Sequence, residues 1–96
     1  MFVRIHTNGN ERILAACDED IIGMTFSGNG AKFTVSESFY KGESVSEEAF
    51  IERMKSVTIM NLAGERAIAL AIQEGKVSPE SVMDIGGVKH AQVVLL

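Results

Sequence analysis

Alternation of apolar and polar residues predicts a β-hairpin at the start of the chain. Residues 2–6 alternate, residues 7–10 contain the Asn and Gly that a tight turn needs, and residues 12–17 resume a strand. The acidic run at residues 18–20 then predicts a short helical turn that ends near residues 23–26, because carboxylates accept the free amide hydrogens of a first helical turn.

The middle of the chain is predicted to hold a third strand and an amphipathic helix. Residues 27–30 form a loop by composition, and residues 32–35 alternate again. Ser44 or Ser46 is placed to cap a helix over residues 47–55, whose apolar positions recur on one face. Residues 36–42 contain two adjacent aromatics in a polar segment and show no clear period.

The last part of the chain predicts a strand, a helix and a second hairpin. Residues 57–62 are β-branched and apolar, and residues 64–74 are helical up to Gly75, which suits left-handed backbone at a helix end. A turn around Pro79 leads into a strand at residues 82–85. The pair Gly86-Gly87 separates that strand from a terminal one at residues 91–96.

These elements predict an α+β fold, a two-layer sandwich with a mixed sheet of five or six strands and two main helices on one face. A chain of 96 residues, 46% hydrophobic and 23% charged, is sized for one domain over residues 1–96, and no linker interrupts it.

Charge and cysteine content narrow the function classes. Thirteen acidic against nine basic residues give a net charge of -4, which weakens non-specific attraction to RNA or anionic lipid. The lone Cys17 has no partner for an internal disulfide, and no apolar segment of membrane-spanning length occurs. We therefore expect a cytosolic, soluble protein without a membrane partner.

The strand-helix-strand order over residues 57–85 predicts a candidate site. A right-handed crossover would bring the ends of both strands to one edge of the sheet, where ligands often bind. Amide hydrogens at the helix start could hold an anion there, although an ordinary surface arginine is the favoured interpretation of Arg66, and no complete phosphate-binding motif is present. The candidate ligand-binding residues are Asn61, Gly64, Glu65, Arg66, Gly86, Gly87 and His90.

Catalytic and metal signatures are weak. His90 is the one residue we nominate as an acid or base, but a histidine bonded to a backbone carbonyl is the simpler interpretation. Cys17 could be a nucleophile, yet the carboxylates after it raise a thiol pKa, so a buried cysteine is favoured. No metal ligand set and no cofactor motif is recognised.

Several segments together resemble a known family. They are Cys17-Asp18-Glu19, Val35-Ser36 with Phe39-Tyr40, Asn61-Leu62 with Gly64-Glu65-Arg66-Ala67, and Ile85-Gly86-Gly87-Val88 with His90-Ala91-Gln92-Val93. Their order and spacing resemble the archaeal domain of unknown function 424 family over essentially the whole chain. The resemblance implies a small archaeal cytosolic α+β protein and supplies no activity, cofactor or catalytic residue.

Three functional hypotheses remain open. The first is a non-enzymatic module that binds a small anion or a segment of a protein partner at the Gly-lined crevice. The second is a translation-associated RNA- or ribosome-binding factor, which would need basic residues gathered on one surface: Arg4, Arg12, Lys32, Lys41, Arg53, Lys55, Lys76 and Lys89. The third is a small hydrolase using His90 or Cys17. Separately, the apolar end of the chain could leave a sheet edge for a second copy, a homo-oligomer.

Overall fold

The computed structural model describes residues 1–95 and places six strands in one mixed sheet. The spatial order is β5-β1-β2-β6-β8-β7, and a separate two-stranded sheet consists of β3 and β4. The strands are β1 Phe2–Asn8, β2 Glu11–Cys17, β3 Thr25–Gly28, β4 Ala31–Thr34, β5 Glu43–Ser44, β6 Ile59–Ala63, β7 Met83–Ile85 and β8 Val88–Val94. The helices are α1 Glu37–Tyr40, α2 Glu47–Arg53 and α3 Glu65–Gln73.

The sheet is antiparallel except at its centre, where β2 and β6 run parallel. The β1–β2 hairpin and the β7–β8 hairpin were both predicted, and both are present. Strand β8 lies between β6 and β7, so the crossover through α3 joins parallel strands that are near neighbours.

Local signals explain where the two main helices begin and end. Ser46, and not Ser44, caps α2: its hydroxyl accepts a hydrogen bond from the amide of Ala49 at 3.1 Å. Helix α3 begins after Gly64 and ends before Gly75, which adopts φ +72°.

Helices α2 and α3 cover one face of the sheet, as predicted. The core on this face includes Leu14, Phe50, Leu62 and Ile68, all essentially inaccessible to solvent. The architecture is therefore the predicted α+β two-layer sandwich, built on a six-stranded mixed sheet. The opposite surface, which we call the helix-free face, is partly covered by the β3–β4 hairpin and by α1 over a second core that contains Val35 and Tyr40.

Some boundaries differ from the sequence predictions. The predicted strand at 32–35 is β4, but it pairs with β3, where the sequence predicted a helical turn and a loop. The acidic run forms one turn of 3₁₀ helix at Glu19–Ile21. The segment 36–42 contains α1, capped by Ser36. Of the predicted terminal strand at 91–96, Leu96 lies outside the described residues.

Candidate functional site

The start of α3 is held by a carboxylate from a distant part of the chain. Asp18, directly after β2, accepts hydrogen bonds from the amides of Arg66 and Ala67, each at 2.9 Å. Gly64 adopts φ +109°, and a Cβ atom at that position would overlap the Asp18 carboxyl group. Asp18 therefore occupies the position at the helix N-terminus where a bound anion would lie.

Arg66 is also engaged by the protein itself. Its guanidinium donates two hydrogen bonds to Glu47, at 2.7 and 2.8 Å, and this contact lowers the pKa of the Glu47 carboxyl. Both residues line an open cleft of about 530 Å³, which Met1, Asp18, Glu19 and Asp20 complete. Carboxylates outnumber cationic groups around this cleft, so its charge favours a cationic group over an anion.

The Gly86-Gly87 turn lies at the same edge of the sheet as the start of α3. The amide of Gly64 donates to the carbonyl of Lys89 at 2.9 Å, two residues beyond Gly87. Both glycines are exposed, but the Ser27 backbone lies against one side of Gly86: a Cβ atom there would be 2.5 Å from the carbonyl oxygen of Ser27 in the β3–β4 hairpin. Residue 86 is therefore a glycine because the Ser27 backbone approaches it too closely for a side chain, and not because its amide has to bind an anion.

Asn61 and His90 lie on the helix-free face, beside Tyr40. The Oδ1 atom of Asn61 accepts hydrogen bonds from the Tyr40 hydroxyl and from His90 Nε2, the latter at 3.1 Å. The neutral His90 ring therefore carries its hydrogen on Nε2, and its Nδ1 atom is buried with no hydrogen-bond partner among the described residues. Burial lowers the pKa of His90, and Phe33 packs on the ring with centroids 4.4 Å apart.

The predicted ligand residues are thus distributed over both faces of the sheet. Asn61 and His90 belong to the helix-free face, whereas Arg66 faces Glu47 of α2, and Glu65 forms an ion pair with Lys89 at 3.1 Å. Gly64 and Gly86-Gly87 share an edge, but Asp18 covers Gly64 and the Ser27 backbone lies against Gly86, whereas Gly87 is open to solvent. One continuous crevice does not connect the seven.

Cys17 does not have the surroundings of a nucleophile. It is fully buried on the helix-free side, and burial together with the adjacent Asp18 raises the pKa of its thiol to about 12. A thiol with that pKa is almost entirely protonated at neutral pH. Its role in the structure is packing.

The structure reveals a surface that the sequence interpretation did not identify. The strand register places Ile13 of β2 beside Ile59 of β6, and Ile59 beside Val94 of β8, in one row across the sheet. All three side chains lie on the helix-free face by strand alternation, yet none belongs to either core cluster. Val94 is 62% exposed, and the other two are partly exposed. We call these three residues the open strip.

The open strip lies beside the part of the face that is covered. His6 of β1 continues the row, since it pairs with Ile13, and its ring stacks on Phe39 at 4.6 Å. The next row towards the β3–β4 hairpin contains Asn61 and Gln92. The open strip is therefore a flat apolar surface, and the stacked rings of His6 and Phe39 border it at its β1 end.

Comparison with known proteins identifies the family. The family model described as a protein of unknown function (DUF424) matches residues 5–96. The chain belongs to this family. A solved structure that resembles it is an uncharacterized conserved protein from Methanopyrus kandleri, with a TM-score of 0.81 and 27% sequence identity; the match covers 99% of this chain and 92% of that one. No curated protein matches.

For this DUF424 protein the described residues offer few other sites. Residues 1–95 contain no cluster of three or more His, Cys, Asp or Glu side chains that could hold a metal ion. Over the same residues, no helix is long and apolar enough to cross a membrane.

One sequence signal could have indicated the open strip in this DUF424 chain. Strand β2 reads Ile13-Leu14-Ala15-Ala16-Cys17, an apolar run without alternation, which indicates apolar side chains on both faces of the sheet. The second core covers Ala15 and Cys17 but not Ile13.

Proposed function

We propose that this DUF424 protein is a non-catalytic interaction module that binds an apolar segment of a partner protein on the open strip. The observation that supports the proposal is the row formed by Ile13, Ile59 and Val94, which is in register across adjacent strands and packed in neither core. A solvent-facing sheet surface ordinarily carries polar residues, and contiguous exposed apolar groups typically mark interaction sites.

The dimensions of the row suit a helical segment. From His6 to Val94 the row crosses four adjacent strands, a span of roughly 14 Å at the usual strand spacing. Two to three turns of helix have about that length. An amphipathic helix laid on the strip would cover the open part of the sheet with a further layer, the usual way in which a sheet face is buried.

The Gly-lined crevice supports anion binding less well. A phosphate or acidic segment at the start of α3 would have to displace Asp18 from the amides of Arg66 and Ala67, and Glu47 from the Arg66 guanidinium. Each displaced carboxylate would lose charge-assisted hydrogen bonds. The open strip needs no such rearrangement.

The RNA-binding alternative gains no support from the arrangement of charges. Ion pairs with carboxylates engage Lys41, Arg53, Lys55, Arg66 and Lys89. Because most basic side chains already face a carboxylate, little positive potential remains to attract a phosphate backbone.

A hydrolase role lacks the necessary groups. His90 hydrogen-bonds Asn61 and packs on Phe33, and no hydroxyl or thiol among the described residues bonds to its ring. The Cys17 thiol has a pKa near 12 and is buried. Neither residue has the nucleophile-base pairing that acyl transfer requires.

A differential capture experiment tests the proposal. The tagged protein, the double variant Ile13→Thr/Ile59→Thr and the control Met24→Thr are used to capture proteins from a lysate of the source organism. Threonine keeps the β-branched shape but makes the strip polar, whereas Met24 is exposed and lies outside the main sheet. The expected result is a protein captured by wild type and Met24→Thr, lost with the double variant, and retained in high salt.

Three results would contradict the proposal. Equal capture by all three proteins would place the binding surface elsewhere. Recovery of RNA that high salt removes would favour the RNA-binding alternative. If the wild-type protein captured no protein more strongly than the double variant does, the open strip would have no partner and the proposed function would be wrong. Circular dichroism of each variant checks that the fold is intact.

A further inference from the structure

Part of the outer edge of β8 has no strand beside it. Strand β7 pairs with β8 only through Val88, Lys89 and His90, while β8 continues to Val94. Gly64 donates its amide hydrogen to the Lys89 carbonyl, and Leu95 donates to the Thr58 carbonyl, so odd-numbered residues of β8 direct their peptide groups towards β6. Even-numbered residues direct theirs the opposite way.

Gln92 and Val94 therefore present backbone donors and acceptors at an open sheet edge, which we call the free edge. Among residues 1–95, no strand pairs with them on that side. Both side chains are exposed, Val94 by 62%, and Met83 at the start of β7 is 54% exposed.

The free edge lacks the features that usually prevent edge-to-edge pairing. Natural edge strands are commonly protected by lysine, proline, a bulge or a covering loop. Here residues 91–95 read Ala-Gln-Val-Val-Leu, without a charge or a proline. The net charge of -4 is carried by other parts of the chain and is sufficient to keep the protein soluble. The absence of charge at the free edge therefore favours its pairing with another strand.

We propose that two copies of this chain pair antiparallel through their free edges, with a two-fold axis at Val93. In an antiparallel pair, residues that exchange hydrogen bonds must both point towards the partner strand. Placing Gln92 opposite Val94 of the second copy satisfies this condition, and by symmetry so does the reverse pair. Placing Gln92 opposite Gln92 would instead leave a single pair that exchanges hydrogen bonds, because Val94 would then lie opposite His90, where β7 already pairs.

The side chains in this register are compatible with a second copy. On the helix-covered side Val93 faces its own equivalent, so apolar groups meet at the two-fold axis. On the helix-free side Gln92 lies opposite Val94. No like charges are brought together, which a two-fold pairing of a charged edge would have required.

The dimer would also enlarge the docking surface. In the dimer, Val94 at the end of the open strip lies opposite Gln92 of the second copy. Gln92 is paired with Asn61 within each copy, so the row of residues continues from the open strip to Asn61 of the second copy. The helix-free faces of both copies would then form one surface. The inference does not rest on the proposed function, because the free edge can pair whether or not the strip binds a partner.

Sedimentation of the full chain over micromolar to millimolar concentrations tests the dimer. We expect a concentration-dependent dimer, since the contact is small compared with standard interfaces. Val94→Lys should weaken it about tenfold, because the change enters the interface twice and brings charge to the paired edge. The matched control Met24→Lys places the same charge on an exposed methionine away from the edge and should dimerise like wild type.

Hydrogen exchange provides the second readout. The amides of Gln92 and Val94 should exchange slowly at high concentration and quickly on dilution, whereas amides of β6 should not respond. A monomer at every concentration would overturn the proposal. A dimer that Val94→Lys leaves unchanged, or edge amides protected only when a different protein is added, would overturn it equally.

Discussion

At the scale of single residues, Asp18 links two parts of the chain that are distant in sequence. Its carboxylate bonds the amides of Arg66 and Ala67, and its own amide donates to the carbonyl of Ala63 at 3.1 Å. The acidic run predicted a capping group, and the structure shows that Asp18 caps α3 in place of the local turn. Sequence could not reveal this, because the capped helix begins far along the chain.

Removing that carboxylate should destabilise the protein. Asp18→Ala leaves two helix amides without their acceptor, and we expect a loss of about 1 to 2 kcal/mol in the free energy of unfolding. Asp20→Ala is the matched control, since Asp20 is exposed in the same acidic run; it should change stability by less than about 0.5 kcal/mol. Urea denaturation measures both, and equal losses would contradict the capping role.

At the scale of elements, the β3–β4 hairpin decides which part of the helix-free face is accessible. Its Phe33 packs on His90, and its Ser27 lies against Gly86. Only β4 was predicted as a strand. The partner β3 has a single large apolar residue, Phe26, so its pairing depends on tertiary contacts that alternation does not reveal.

The two glycines of the β7–β8 turn provide a test of this covering contact. Both have positive φ, +61° for Gly86 and +94° for Gly87, so alanine is strained at either position. Only at Gly86 would the added Cβ also collide with Ser27. Gly86→Ala should therefore cost about 1 to 3 kcal/mol more than Gly87→Ala in unfolding free energy.

The same pair of variants has a local readout. Gly86→Ala should release the hairpin, so that amides of β3 and β4 exchange faster than in Gly87→Ala, while amides of α2 and α3 keep their protection. If the two variants had the same amide exchange and the same stability, the β3–β4 hairpin would not be packed against the β7–β8 turn.

At the scale of the whole molecule, local patterns predicted the fold better than the site. The hairpins, the caps and the helical period depend on neighbouring residues, and they led to the correct fold class. The open strip depends on the pairing of β2 with β6 and of β6 with β8, between residues that are far apart in sequence. The sheet also separates Arg66 from His90, two residues that the strand-helix-strand order predicts to share one crevice.

The central claim is that the open strip, not the start of α3, is the binding surface. Nuclear magnetic resonance with two probes tests it most directly: isopropanol as a small apolar probe and sulfate as an anion. We expect isopropanol to shift the methyl signals of Ile13, Ile59 and Val94 selectively. We expect millimolar sulfate to cause no saturable shift of the amides of Gly64, Arg66 or Gly87. Saturable sulfate shifts there, with no selective response of the three methyl-bearing residues, would contradict the account.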